Sequence, residues 1–361
     1  MPPLVRAAEE GLWCEEGGFH IDPWSPVERA VITHAHSDHA APGSAHYLAA
    51  DALPILRARL GPSADIQIAG YNRPLTLGNV RVSFHPAGHI QGSAQVRVEH
   101  VATSQGGPAG ETWVISGDYK TTPDSTCKPF ELVPCHTFIT ESTFGLPIYS
   151  WPDPRDVTKE INAWWRGNQK QGRTSVVFAY PLGKAQRVLA GLDPTTGPIG
   201  AHGATLRMTE AYAQCGVQLP PVQPATGDAA KALRGVGLVL APPSTSATTW
   251  LRKLAGPDGI ATAFVSGWMR IRGARRRQHV DRGFVLSDHA DWPALLETIR
   301  ATGAEHVGVT HGYAPALSRW LKESGGDSFV VPSRYSGELG ETPVAESKED
   351  TAPDEPTLGT A

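Results

Sequence analysis

The chain lacks C-x-x-C pairs, long apolar runs, internal repeats and any excess of positive charge. Each absence narrows the reading. Cys14, Cys127, Cys135 and Cys215 are scattered, which argues against a thiolate zinc site and fits free thiols in a reduced cytoplasmic setting. No stretch approaches the roughly 20 apolar residues of a membrane span, and Met1-Pro2-Pro3-Leu4-Val5-Arg6 lacks a signal-peptide core. The net charge of −4 argues against a global field for a polyanion. That charge is unevenly placed. From Gly337 onward seven acidic residues face Lys348 alone, a balance of −6, so residues 1–336 carry +2 of the total −4. Any nucleic-acid surface therefore has to be a local patch. With 361 residues, the chain accommodates two domains or one domain with a large insertion.

What the chain does have is a histidine loop. Ala30 to Thr33 reads as a short buried strand running into His34-Ala35-His36-Ser37-Asp38-His39. Neutral imidazoles and carboxylates are ligands for zinc, manganese and iron. Neighbouring side chains point in different directions, so four such groups within six residues cannot all reach one ion. The spacing predicts two: His34 and His36 toward one, Asp38 and His39 toward the other.

Two further ligand types follow strand-like segments. His89 lies in Pro86-Ala87-Gly88-His89-Ile90-Gln91-Gly92, where glycine permits close backbone approach. Asp118 follows the apolar run Trp113 to Ile115, and its two oxygens suit a bridge between cations. Asp22 ends a segment before Pro23. It either makes a turn there or orients the histidine loop as an outer carboxylate.

The remaining pattern predicts an α/β protein. Strands are expected at Phe19 to Asp22, Ile66 to Ala69, Val80 to His85, Ala94 to Val98, Trp113 to Ser116 and Phe138 to Thr140, with a helix over Ala50 to Leu60. After Pro147 the texture changes to alternating helix and strand, which predicts a parallel sheet. Helices are expected at Asp153 to Gln169, Lys184 to Leu192, Ala204 to Cys215 and Ser246 to Ala255, and strands at Thr174 to Ala179, Val236 to Ala241 and Ala261 to Ser266. Strand, helix, strand and helix close the pattern from Gly283 to Glu323. The last residues, 337–361, read as a disordered acidic tail.

In order and spacing, Asp22, His34-x-His36-x-Asp38-His39, His89 and Asp118 resemble the metallo-β-lactamase superfamily. Glu141 in Thr140-Glu141-Ser142-Thr143, His289 in Ser287-Asp288-His289-Ala290 and His311 in Thr310-His311-Gly312 resemble the motifs of its β-CASP nuclease branch. The resemblance implies an αββα sandwich (residues 1–146 and 283–336) with an inserted β-CASP α/β cassette (residues 147–282). It implies two divalent metal ions, zinc and/or manganese. His34, His36 and His89 would hold one, Asp38, His39 and His311 the other, with Asp118 bridging. Catalytic roles would fall to Asp38, Asp118, His289, Glu141 and Asp22, with His289 near the scissile phosphate and Glu141 fixing a neighbouring histidine.

The whole pattern, including Phe19-His20-Ile21-Asp22-Pro23-Trp24 and Leu182-Gly183-Lys184-Ala185-Gln186-Arg187, looks most like the bacterial ligase-associated DNA exonucleases. That implies a DNA substrate, single-stranded or with an accessible end, and a link to an ATP-dependent DNA ligase. A histidine at the His311 position is typical of the branch's RNA-processing members, so an RNA-processing nuclease stays open. A silent scaffold partner of a ligase is the remaining alternative. Phosphodiester chemistry needs cations near the metals. Lys184, Gln186, Arg187 and Ser287, together with Arg270, Arg272, Arg275, Arg276 and Arg277, are the expected substrate-binding residues.

Overall fold

The computed structural model describes residues 3–101, 110–273 and 279–334. The acidic tail and Arg275, Arg276 and Arg277 lie outside the described residues. The protein is of the α/β class, with three sheets flanked by helices.

The first sheet runs in chain order: β1 (Arg6–Ala7), β2 (Leu12–Cys14), β3 (Phe19–Ile21), β4 (Arg29–Ile32), β5 (His46–Ala49) and β6 (Ile66–Ile68), with α1 (Leu53–Leu60) between the last two. From β3 onward the pairing is parallel. In β4, Val31 points to the opposite face from Ala30 and Ile32. Val31 joins a core with Val82, Phe84, Val96 and Ile115, whereas Ala30 and Ile32 pack with Ile55 and Leu56 of α1. Both faces are covered, so the strand is apolar without alternation. Helix α1 begins three residues later than its composition predicts. Ala52, in left-handed conformation (φ 63°), turns the chain out of β5 before the helix can start.

The second sheet begins with β7 (Leu75–Leu77), β8 (Val80–Pro86), β9 (Ala94–His100), β10 (Thr112–Ile115) and β11 (Thr137–Glu141). The chain then leaves it through α2 (Pro154–Lys170), which Asp153 caps by accepting from Arg155 N. The third sheet follows: β12 (Thr174–Phe178), α3 (Lys184–Gly191), β13 (Ile199–Ala201), α4 (Gly203–Gln214), β14 (Gln223–Pro224), α5 (Gly227–Leu233), β15 (Leu238–Ala241), α6 (Thr249–Arg252), β16 (Ile260–Val265) and β17 (Arg282–Phe284). All its described pairs are parallel, in the order β14-β13-β15-β12-β16-β17. Of the helix expected over Ser246 to Ala255, the single turn α6 forms, preceded by a 3-10 turn at Pro243–Thr245. Pro242 and Pro243 cannot supply backbone N–H groups, and β-branched Thr248 and Thr249 add little propensity.

The chain returns to the second sheet with α7 (Trp292–Ala301), β18 (His306–Thr310), α8 (Ala314–Glu323) and β19 (Asp327–Val330). There β10, β11, β18 and β19 are parallel. Leu295, Ile299, Leu317 and Leu321 of α7 and α8 cover Val114, Phe138, Val307 and Val309. The result is four layers, helix, sheet, sheet and helix. The C-terminal ends of β4, β10, β11 and β18 deliver the histidine loop, Asp118, Glu141 and His311 to one place.

Candidate metal centre

A helical turn organises the histidine loop: His39 N and Ala40 N both donate to His36 O. The turn sorts the four side chains into two groups, although the His34 and His39 rings remain 4.0 Å apart. His34, His36, His89 and Asp118 form one group whose ligand atoms lie within 4.8 Å of one another. Asp38, His39 and His311 form a second. In the first, His36 Nδ1 lies 3.1 Å from both His34 Nε2 and His89 Nε2, and Asp118 Oδ2 lies 3.5 Å from His34 Nε2 and 3.8 Å from His89 Nε2. Four ligands about 2.1 Å from a common tetrahedral centre would stand about 3.4 Å apart.

The far nitrogens decide what these atoms are. His89 Nδ1 meets Asp288 O at 2.8 Å and His36 Nε2 meets Leu182 O at 3.3 Å. A peptide carbonyl only accepts, so both rings must donate there, which leaves a bare lone pair on the inward nitrogen. His34 follows the same logic at one remove. Thr33 Oγ1 donates to Asp22 Oδ2 at 2.6 Å and therefore accepts from His34 Nδ1 at 3.0 Å. Burial, aided by neighbouring histidines around His34 and His89, keeps all three imidazoles below their usual pKa, hence neutral. Three lone pairs thus face one another with no proton between them. A bound cation removes that repulsion, and the donor set fits one.

The second group is built alike. Asp22 Oδ2 accepts from His39 Nδ1 at 2.7 Å, turning His39 Nε2 toward Asp118 Oδ2 (3.5 Å) and Asp38 Oδ2 (3.7 Å). His311 stacks on His39 with ring centroids 5.1 Å apart. Among the described residues, His39 Nε2, Asp118 Oδ1 and His311 Nδ1 are buried without a hydrogen-bond partner. Buried polar atoms are normally satisfied. These three are all of metal-ligand type, and Asp118 stands between the two groups. Residue clusters able to hold metal ions are therefore present.

Backbone geometry holds the ligands close. His311 adopts φ 55°, and the turn is tied down by Ser142, whose Oγ donates to Thr310 O at 3.0 Å and whose O accepts from Tyr313 N at 2.9 Å. Gly88, at φ 74°, lets the His89 loop pack where any Cβ would collide with the Lys120 carbonyl.

Glu141 is buried and holds His289. Its oxygens accept from His289 Nδ1 at 2.9 and 3.0 Å, and Oε1 also accepts from Tyr119 N at 2.8 Å. Burial alone would depress the His289 pKa, but Glu141 and Asp118 outweigh it and push it up to about 10. His39 is likewise raised, because Asp118, Asp38 and Asp22 overcome the cost of burial.

The expected phosphate contacts from Lys184, Gln186, Arg187 and Ser287 need correction, since all four are buried. Lys184 Nζ pairs with Asp288 Oδ1 at 3.0 Å. Gln186 closes the start of α3, accepting from Gly183 N and donating to Pro181 O and Thr209 Oγ1. Arg187 pairs with Asp124 at 2.9 Å and donates to Ser287 O and His89 O. Ser287 Oγ accepts from His289 N. These side chains clamp the metal-ligand loops together. The helix start carried a readable sign, a Gln three residues after the cap position. Asp124 and Asp288 were not singled out in the sequence, and a carboxylate beside His289 was the only hint of Asp288. Arg270 and Arg272 are exposed.

No family model matches the chain. It is 31% identical over 331 residues to a protein named "Probable DNA ligase" from Opitutus terrae, covering 91% of this chain and 31% of that protein. The chain thus spans about a third of that relative's length. Among solved structures, it is similar to a protein of unknown function from Enterococcus faecalis V583, with a TM-score of 0.53 and 12% identity. That match covers 85% of this chain and 80% of the other, and it is a likeness of fold. Among the described residues, no helix is long and apolar enough to cross a membrane.

Proposed function

We propose that the protein is a metal-dependent nuclease that hydrolyses phosphodiester bonds of DNA, working from an end and alongside a DNA ligase. In this reading residues 1–146 and 283–336 form a metallo-β-lactamase-type domain, with residues 147–282 inserted as a β-CASP-type cassette. The observation that carries it is the convergence of bare imidazole lone pairs and orphaned ligand atoms on Asp118. The name of the Opitutus relative supports a setting in DNA joining.

His34, His36, His89 and Asp118 would hold one divalent ion, and Asp38, His39, His311 and Asp118 the other. Bound there, two such ions supply an activated water and neutralise charge on a phosphoryl group. The chain's own residues do the rest. Asp22 and Thr33 orient His34 and His39. Glu141 anchors the His289 ring and favours its charged form, so that Nε2–H can donate to a phosphate oxygen and protonate the leaving oxygen. Arg270 and Arg272 offer sequence-independent contacts to backbone phosphates.

The test uses end-labelled DNA and RNA of one sequence, 5′-phosphorylated or not, with Mn²⁺, Zn²⁺ or Mg²⁺. Stepwise shortening of DNA is expected. Faster loss of RNA would transfer the reading to RNA processing, and no cleavage of either would reduce the protein to a scaffold.

A further inference from the structure

An aromatic wall stands beside the metal centre, and the chemistry above makes no use of it. The Phe144 ring lies 5.8 Å from that of His289 and touches Trp151 at 4.7 Å and Trp268 at 4.8 Å. Tyr149 backs both Trp268 (5.5 Å) and Tyr313 (5.9 Å). Phe144 and Tyr149 are fully buried, whereas Trp268 and Tyr313 are half-buried. Tyr313 follows His311 by two residues, and Trp268 precedes the exposed Arg270 and Arg272. Along the chain, His311 thus lies two residues from one of these half-buried rings, and the exposed Arg270 and Arg272 lie two and four residues from the other.

The Trp268 indole differs from its relatives in the fold. Trp151 donates to His289 O, Trp165 to Val236 O and Trp250 to Ala225 O, each at 2.9 or 3.0 Å. Among the described residues, the Trp268 N–H is buried without a partner. Buried indoles held for structure alone normally satisfy that donor. Trp268 is held by ring packing against Phe144 and Tyr149 instead. Rings on a firm backing next to cations are what single-stranded nucleic acid binds, bases stacking on the rings while phosphates follow the charges.

We propose that Trp268 and Tyr313 form a stacking platform for an unpaired nucleobase flanking the scissile phosphate. The inference rests on the nuclease reading and gives its substrate class as single-stranded. A base inside a duplex is already stacked on both faces and gains nothing from the wall.

The test is a set of single-stranded oligonucleotides with one abasic residue walked across the position of cleavage. Wild-type protein should lose roughly 5- to 150-fold in kcat/KM when the gap falls beside the cut. The double variant Trp268→Ala/Tyr313→Ala should show that loss already on intact strands and then ignore the abasic residue, while Trp268→Phe/Tyr313→Phe should restore discrimination. Equal cleavage of intact and abasic strands by wild type would overturn the platform, whatever the variants' folding. So would a Trp268→Ala/Tyr313→Ala protein that still discriminates. A protein that cuts nothing would refute the nuclease reading instead. Anisotropy with the same strands then decides the platform, and equal affinity for both overturns it.

Discussion

Glu141→Gln isolates one buried ion pair from the rest of the centre. In the wild type both carboxylate oxygens hold His289 Nδ1, and the pKa stands at about 10 against an ordinary 6.5. Converting that difference gives on the order of 5 kcal/mol for Glu141, Asp118 and Asp288 together, which bounds the share of Glu141 from above; breaking a buried pair costs roughly 3–5 kcal/mol. The sign follows from linkage. His289 is raised on folding, so its contribution is fully present below pH 6.5 and is lost as the pH rises toward 10. In Glu141→Gln the His289 pKa should fall, because only Asp118 and Asp288 then oppose burial. Urea denaturation of both proteins in EDTA, from pH 6 to 10, should show the widest gap at pH 6. The gap should narrow by about 1.4 kcal/mol per pH unit across the window. With metal restored, kcat should fall about 10²- to 10⁴-fold, the range for a lost general acid, while metal content holds. A gap that stays constant from pH 6 to 10 would refute the argument, because the pair would then not be ionised.

Other variants read other parts of the site. Asp118→Ala should leave at most one ion per chain by elemental analysis and abolish cleavage; full activity would sink the two-metal mechanism. Thr33→Val removes the hydroxyl between Asp22 and His34, so metal affinity should drop about 10- to 100-fold in a chelator competition. Unchanged affinity would mean that His34 keeps its orientation without it. Arg270→Ala should reduce the slope of log affinity against log salt by about 1. Arg187→Met should instead leave that slope alone and lower thermal stability and metal retention, because its guanidinium is spent on Asp124, Ser287 and His89. A slope change in Arg187→Met would restore it as a phosphate contact.

Much of the secondary structure was legible, since strands such as Val80–Pro86 and helices such as Pro154–Lys170 carry their period locally. Some elements of two to four residues escaped, among them Arg6–Ala7, Gln223–Pro224 and Asp327–Val330, while others such as Ile66–Ile68 were expected. Such strands are too short to show a period, and sheet neighbours decide them. Helix α6 was overestimated for the opposite reason, because composition over Ser246 to Ala255 outvoted the prolines before it.

At the centre, the division is sharper. The kinds of ligand and their grouping into His34 with His36 and Asp38 with His39 followed from the sequence, because side-chain chemistry and the direction of neighbouring residues are local properties. Which nitrogen of each ring faces the other candidate ligands was decided by tertiary structure alone. Leu182 O, 146 residues from His36, and Asp288 O, 199 residues from His89, set those tautomers. The fate of Lys184 and Arg187 was decided the same way. A cation in sequence is available to a substrate until packing buries it against a carboxylate, and Asp288 and Asp124 lie far from Lys184 and Arg187 along the chain.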